Sequence, residues 1–219
     1  MPLPRDFFAR PSVEVAPDLL GCVLEHRTAD GLVAVELTEV EAYAGRSDPA
    51  SHAYRGKTPR NTVMFGPPGH AYVYFTYGMH FCVNMVCLGE EGSASAVLVR
   101  AGAVIEGEAL ARARRTKGAA SVASRDLARG PARLCQALGI DRSLDGADVC
   151  SEDSSLRARA GAEARSVTIA TGPRVGVSSA ADIPWRFWVD GDPTVSVYRA
   201  HVPRRRGVPG GSSPWPAPR

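Results

Sequence analysis

The stretch Gly31-Leu32-Val33-Ala34-Val35-Glu36-Leu37-Thr38-Glu39-Val40-Glu41-Ala42-Tyr43 decides how this chain is read. Val33, Val35, Leu37, Glu39, Glu41 and Tyr43 alternate with Ala34, Glu36, Thr38, Val40 and Ala42, which is the two-residue period of an extended strand. The first set starts apolar and ends in two carboxylates, so the inside–outside rule fails at the far end. A site is expected there. Residues 71–75 and 80–88 are predicted strands, joined through Thr76-Tyr77-Gly78-Met79 as a hairpin. Residues 95–100 make another, continuously apolar until Arg100. Short strands are expected at 166–170, 174–177, 186–189 and 195–198. Helices are expected at 12–20, with Ser12 as N-cap and Gly21 just past the end, at 105–115, and from Pro131 at the first helical position to Gly139. Residues 143–165 are polar and carry no pattern.

Strands outnumber helices without βα alternation, which predicts an α+β fold. The expected form is one compact domain over residues 1–202, a curved, mainly antiparallel sheet with flanking helices and a protruding β-hairpin. Residues 203–219 hold five prolines and three glycines and open on Arg204-Arg205-Arg206; they are predicted to be a disordered tail. Residues 44–70 are rich in glycine and proline yet carry His52, Tyr54 and Arg60-Asn61. A loop of that length in a compact domain points to function.

The chain has 219 residues, 44% apolar and 22% charged, a globular balance that fits one sizeable core. No window offers the roughly 18 apolar residues of a membrane span, and the start lacks a signal-peptide stretch. Five cysteines without a CxxC pair argue against a disulfide framework or a zinc ribbon. His26, His52, His70, His80 and His201 share no ligand spacing with them, so no metal and no cofactor is expected. These features predict a soluble protein of a reducing compartment: cytoplasmic, nucleoid-associated if bacterial, with a nuclear location left open. The net charge is only +3, but residues 112–142 hold eight basic side chains against Asp126 and Asp141. That stripe reads as a solvated face unless other features call for a polyanion.

Eight of the fifteen Phe, Trp and Tyr residues fall between Tyr43 and Phe81. An aromatic-rich core accounts for most of them. Tyr77, at the hairpin tip beside Gly78, does not fit a core and suits a wedge inserted between stacked bases. Glu41, an inward carboxylate, needs a cation nearby, and Arg100 is the candidate. The pair reads either as a structural ion pair or as a general base held by an arginine.

These residues resemble the alkyladenine (3-methyladenine) DNA glycosylase family. The likeness lies in Glu41-Ala42-Tyr43-Ala44-Gly45, His52, Thr58-Pro59-Arg60-Asn61, and the run from Ala71 through Tyr72-Val73-Tyr74 and Tyr77-Gly78-Met79 to Asn84. It continues in Val97-Leu98-Val99-Arg100-Ala101, in the run from Gly130 to Leu138, and in Arg174-Val175-Gly176-Val177. It covers nearly all of residues 6–197 in the same order.

The resemblance implies an enzyme that rotates alkylated or deaminated purines out of duplex DNA and hydrolyses the N-glycosidic bond. Glu41 would then be the general base, with Arg100 and the carbonyl of Val175 holding the attacking water. Glu39 is a rival that the alternation alone does not separate from Glu41. Tyr43 and Tyr74 would stack on the flipped base, His52 would complete the wall and donate from its backbone, and Asn84 would crowd guanine's exocyclic amine. Tyr77, with Met79 beside it, would intercalate from the minor groove of double-stranded DNA. His80 departs from the family pattern, where an aromatic or apolar residue is expected. The expected enzyme is monomeric and monofunctional, leaving an abasic site, because Lys57 matches no nucleophile of the family. The basic stripe would contact phosphates. A catalytically silent binder of distorted or damaged DNA is the alternative, and a hydrolase of free nucleosides or RNA is a third reading.

Overall fold

The computed structural model describes residues 1–76, 78–90, 93–116, 121–161 and 168–202. Within them lie strands β1 (Val23–Thr28), β2 (Gly31–Tyr43), β3 (Ala71–Thr76), β4 (His80–Cys87), β5 (Ser95–Glu106), β6 (Leu156–Arg159), β7 (Ile169–Gly172) and β8 (Arg186–Val189). All join one antiparallel sheet in the order β3-β4-β5-β2-β1-β6, with β8 added to β2 and β7 to β8. Four helices accompany it: α1 (Arg5–Phe8), α2 (Ser12–Asp18), α3 (Glu108–Thr116) and α4 (Pro131–Leu138). The α+β expectation is borne out. The expected tail at 203–219 and the expected Tyr77 wedge both lie outside the described residues.

One irregularity in β2 organises the molecule. Val33, Val35 and Leu37 enter the main apolar core, and so do Val40 and Ala42. The core-facing set therefore changes from odd to even positions between Leu37 and Val40. The pairing with β5 slips there: Leu37 faces Gly102, Glu39 faces Ala101, and Val40 faces Val99, leaving Thr38 and Arg100 as the extra residues. An extra residue in one strand is a β-bulge, and it reverses which face each later side chain takes. Glu39, Glu41 and Tyr43 thus do not share the face of Val33, Val35 and Leu37, as plain alternation predicts. They are turned away from the core. Thr38 is buried, its hydroxyl 2.7 Å from that of Thr194. On the other edge of β2, β1 pairs with residues 31–36 and β8 takes over at Glu39–Glu41.

The core face of the sheet packs against α2 and α4 through Val15, Leu134 and Leu138, all fully buried. Each such side chain contributes roughly 1.5–3 kcal/mol relative to exposure. The left-handed Gly139 ends α4, and its N–H bonds back to Gln136. Ser12 is the first residue of α2 rather than its cap; its hydroxyl instead donates to the carbonyl of Tyr43 at 3.1 Å, tying the helix to the end of β2.

Other departures have local causes. β5 runs on past Arg100 to Glu106 because β2 extends alongside it, which delays α3 to Glu108. Residues 174–177 and 195–198 are not strands. Gly176 has φ +70, a turn conformation. The backbone of residues 195–196 bonds to side chains of Arg129, Arg186 and Glu39 in place of a ladder. β1 and β6 carried no sequence signal strong enough to predict them.

Candidate functional site

The face opposite the core, across β3, β4, β5 and the end of β2, is where the candidate residues gather. Tyr72 pairs with Asn84, Asn84 with Leu98, and Leu98 with Glu41, one cross-strand row over four strands. Tyr74 lies opposite Cys82 in the next row. The strands, the loops at 49–52 and 175–178, and the start of α4 at Pro131 and Ala132 enclose a pocket of about 490 Å³. Tyr43, His52, Tyr72, Tyr74, Asn84, Arg100 and Val175 all line it.

Glu41 is fully buried beneath this wall. Its Oε2 accepts the Tyr43 hydroxyl at 2.8 Å, and its Oε1 accepts the Val175 N–H at 2.7 Å and faces Arg100 at 3.1 Å. These partners all border the pocket, so the carboxylate stands one side chain behind it. Burial of the Tyr43 ring, then the charge of Glu41, hold the Tyr43 hydroxyl well above its usual pKa, so it stays a donor. Burial and the carboxylates of Glu41 and Glu39 act on Arg100 in opposite directions, and the carboxylates win: its pKa is raised.

Glu39 is equally buried but differently employed. Its Oε1 accepts from Arg100 Nε at 2.8 Å, Arg186 Nε at 2.7 Å and the Ser196 hydroxyl at 2.9 Å; its Oε2 accepts the Ser196 N–H at 2.7 Å. Burial alone would raise this carboxyl, but Arg100 and Arg186 with Ser196 outweigh it and hold it below its ordinary value. Neither glutamate lines the pocket itself, but Arg186 and Ser196 do not line it either, whereas every partner of Glu41 does.

The aromatic wall is interlocked. The Tyr72 and Tyr74 rings stack at 5.5 Å, the His52 ring meets Tyr74 edge-on at 4.6 Å, and His52 Nδ1 lies 3.1 Å from the Tyr72 hydroxyl. Burial pushes the Tyr72 hydroxyl up to about 12. Partial desolvation of the His52 ring, and then Arg60, hold His52 below the usual histidine value, so it is neutral at pH 7. The loop that carries His52 is pinned by buried Asn61, which donates to the carbonyls of His52 and Gly56 and accepts the Thr58 N–H. At its start Gly45 has φ +70, and a Cβ there would lie 2.1 Å from the Ala94 carbonyl oxygen. Only glycine fits. Buried Asn84 donates to the Tyr72 carbonyl at 3.2 Å.

At the hairpin tip Met79 is exposed, its N–H closing the turn onto the Thr76 carbonyl. His80 follows it and lines the pocket. Among the described residues no three His, Cys, Asp or Glu side chains are grouped so as to hold a metal ion, and no helix is long and apolar enough to cross a membrane.

The family model described as methylpurine-DNA glycosylase matches residues 6–193. A Streptomyces avermitilis protein named "putative 3-methyladenine DNA glycosylase" is 59% identical over 207 residues, covering 94% of this chain and 95% of that protein. Proteins of the same name from Leifsonia xyli (51% over 202 residues, 90% and 92% covered) and Corynebacterium glutamicum (45% over 199 residues, 91% and 98%) are also similar. The chain belongs to the methylpurine-DNA glycosylase family.

In this methylpurine-DNA glycosylase family member the site includes residues that sequence reasoning passed over. Tyr72, Asp48 and Arg174 are the main ones. Arg174 begins the quoted Arg174-Val175-Gly176-Val177 run but drew attention only to Val175, because a lone arginine at the head of a short expected strand gives no sign of burial. The basic stripe needs correction as well. Arg114 donates to the carbonyls of Ala137 and Leu138 at the end of α4, Arg115 to Leu127, Arg112 to Val122, and Arg129 to Val195. These four hold the fold together. Arg125, Arg133 and Arg142 remain exposed, and Lys117 lies outside the described residues.

Proposed function

We propose that the protein is a DNA glycosylase for damaged purines. It rotates an alkylated or deaminated purine out of duplex DNA and hydrolyses its N-glycosidic bond, leaving an abasic site. One observation carries this reading: a buried carboxylate, Glu41, held by three donors directly behind a tyrosine-walled pocket of about 490 Å³. That volume falls in the range of small-molecule pockets. The names of the similar proteins support the same chemistry.

Flipping a nucleotide costs roughly a few kcal/mol in lost stacking, least for a damaged base. Tyr77 and Met79 fill the gap from the minor groove; the exposure of Met79 at the turn supports this. Tyr43, Tyr74 and His52 then receive the base. Stacking contributes about 1–3 kcal/mol per base and is tolerant of base identity, and a cationic methylpurine adds attraction to the ring faces. Asn84, fixed by its bond to the Tyr72 carbonyl, excludes the amine of undamaged guanine by bulk. Glu41 takes a proton from water as oxocarbenium character develops on the sugar, with Arg100 and Val175 orienting that water. No lysine serves as nucleophile, so the enzyme is monofunctional, and it acts as a monomer. Arg125, Arg133 and Arg142 meet the phosphates.

The test is alkali-revealed cleavage of duplexes containing 3-methyladenine or hypoxanthine under single-turnover conditions, with Glu41→Gln as control. Expected are abasic product with the wild type and almost none with Glu41→Gln. Tight binding of damaged duplex without product would favour a silent binder instead, and a covalent adduct trapped by borohydride would contradict the monofunctional mechanism.

A further inference from the structure

A single guanidinium, outside the pocket, lies against the Tyr43 ring and the Ala42 carbonyl, and its residue immediately precedes Val175 in the chain. Arg174 is buried, and its side chain pairs with buried Asp48 through two bonds, 2.6 Å from Nη1 to Oδ2 and 2.8 Å from Nη2 to Oδ1. Nη1 also donates to the carbonyl of Ala42, the residue between Glu41 and Tyr43, at 2.9 Å. The guanidinium carbon lies 4.7 Å from the Tyr43 ring centre and 5.3 Å from that of Trp185, filling the space behind Tyr43. Arg174 does not border the pocket, whereas Tyr43 does. Its Nε is buried without a partner among the described residues, a cost that a merely space-filling side chain would avoid.

We propose that Arg174, clamped by Asp48, is a positioning residue for Glu41, setting two of the three donors that hold the carboxylate, the Tyr43 hydroxyl and the Val175 N–H. One route runs through the Tyr43 ring to its hydroxyl on Oε2. The other runs along the chain, since the next residue, Val175, presents its N–H to Oε1. The bidentate pair is what makes the clamp directional: a planar fork fixed by one carboxylate leaves its flat faces for the two rings. Arg100 supplies charge to Glu41, and Arg174 supplies placement. The proposal rests on the reading of Glu41 as the base.

The test compares wild type with Arg174→Lys, Arg174→Gln and the double variant Asp48→Asn/Arg174→Gln, which leaves no orphaned charge if Arg174→Gln fails to fold. Single-turnover excision, normalised to active sites by titration, should fall on the order of 10- to 100-fold, the scale of a misplaced catalytic group. Binding to a duplex holding a tetrahydrofuran abasic analogue should change less than about threefold on the same view, since Arg174 does not border the pocket. Arg174→Lys should recover only part of the rate, because lysine lacks the fork. Combined with Tyr43→Phe, the loss should be less than the product of the two separate losses, as expected of residues acting through one contact. An unchanged rate per active site, or independent effects of the two substitutions, would overturn the proposal. A crystal structure of Arg174→Gln decides without reference to activity: Tyr43 and Val175 still bonded to Glu41 as before would also overturn it. Inactive wild type on every lesion would instead overturn the glycosylase reading.

Discussion

Glu39 and Glu41 stand two residues apart on the same side of one strand, both without solvent exposure, and share one arginine. Their surroundings make them different objects. Glu39 is enclosed by Arg100, Arg186 and Ser196, which use both its oxygens. It joins β2, β5, β8 and the segment after β8. Glu41 shares only Arg100, and its other partners, Tyr43 and Val175, form the wall of a cavity. On the proposed reading of Glu41 as the base, residue type and burial do not tell the structural carboxylate from the chemical one. The identity of what lies behind each partner does.

The sharpest way to break this comparison is to neutralise each in turn. Glu41→Gln should lower single-turnover excision by about 10²–10⁴-fold, the usual worth of a positioned general base, while denaturant unfolding moves less than for its neighbour. Comparable activity losses from both variants, with equal stability, would make the distinction empty. Glu39→Ala should destabilise by about 3–5 kcal/mol, because Arg100 and Arg186 would be left buried around a missing carboxylate; urea unfolding measures it.

Much of this arrangement was legible in the chain. Residues 31–43 and the hairpin of β3 and β4 have strong two-residue periods bounded by turn formers, and local pattern sufficed. What could not be read was set by distant partners. β1 turns polar after Leu24 and is held by β6, some 130 positions later, a four-residue segment with no pattern of its own. The slip at Thr38 leaves no trace in composition, so alternation put Glu41 on the core side when it points away. Residues 174–177 alternate like a strand, yet Val175 spends its N–H on Glu41. The stripe of arginines was visible as charge, but whether each guanidinium meets a carbonyl or water depends on where α3 lies against α4.

Acid should sharpen the contrast from the side of stability. Glu39 is held below its ordinary value of 4.5, so its contribution is complete above that pH and is lost as pH falls through the lower, folded value. Buried His26, whose Nδ1 lies 2.8 Å from the Leu138 carbonyl, is lowered from 6.5 mainly by desolvation, then by Arg114. Its neutral form is the native one, and its contribution likewise fades on acidification, starting below 6.5. The melting temperature should therefore slip below pH 6.5 and fall more steeply below 4.5. Glu39→Gln should make the second limb shallower without removing it, since Asp141 and Asp148 are also held low; a profile identical to wild type would reject the assignment.

The smallest effect separates the two kinds of arginine. Replacing exposed Arg125, Arg133 or Arg142 by alanine should leave unfolding unchanged and lower the salt slope of DNA binding by about one per phosphate contact. Arg114→Ala should do the reverse, loosening the end of α4 by about 1–3 kcal/mol through its unsatisfied carbonyls.

Thr38 acts as a half-period phase shift written into a repeating wave. Upstream of it the strand points one set of side chains into the apolar filling; downstream, the complementary set. Deleting that one threonine would carry every later side chain of the strand through half a turn, sending two acids and a phenol into hydrocarbon and emptying the cavity of its chemistry. A change of one residue in length at this point is thus more drastic than any exchange of side chain within the pocket.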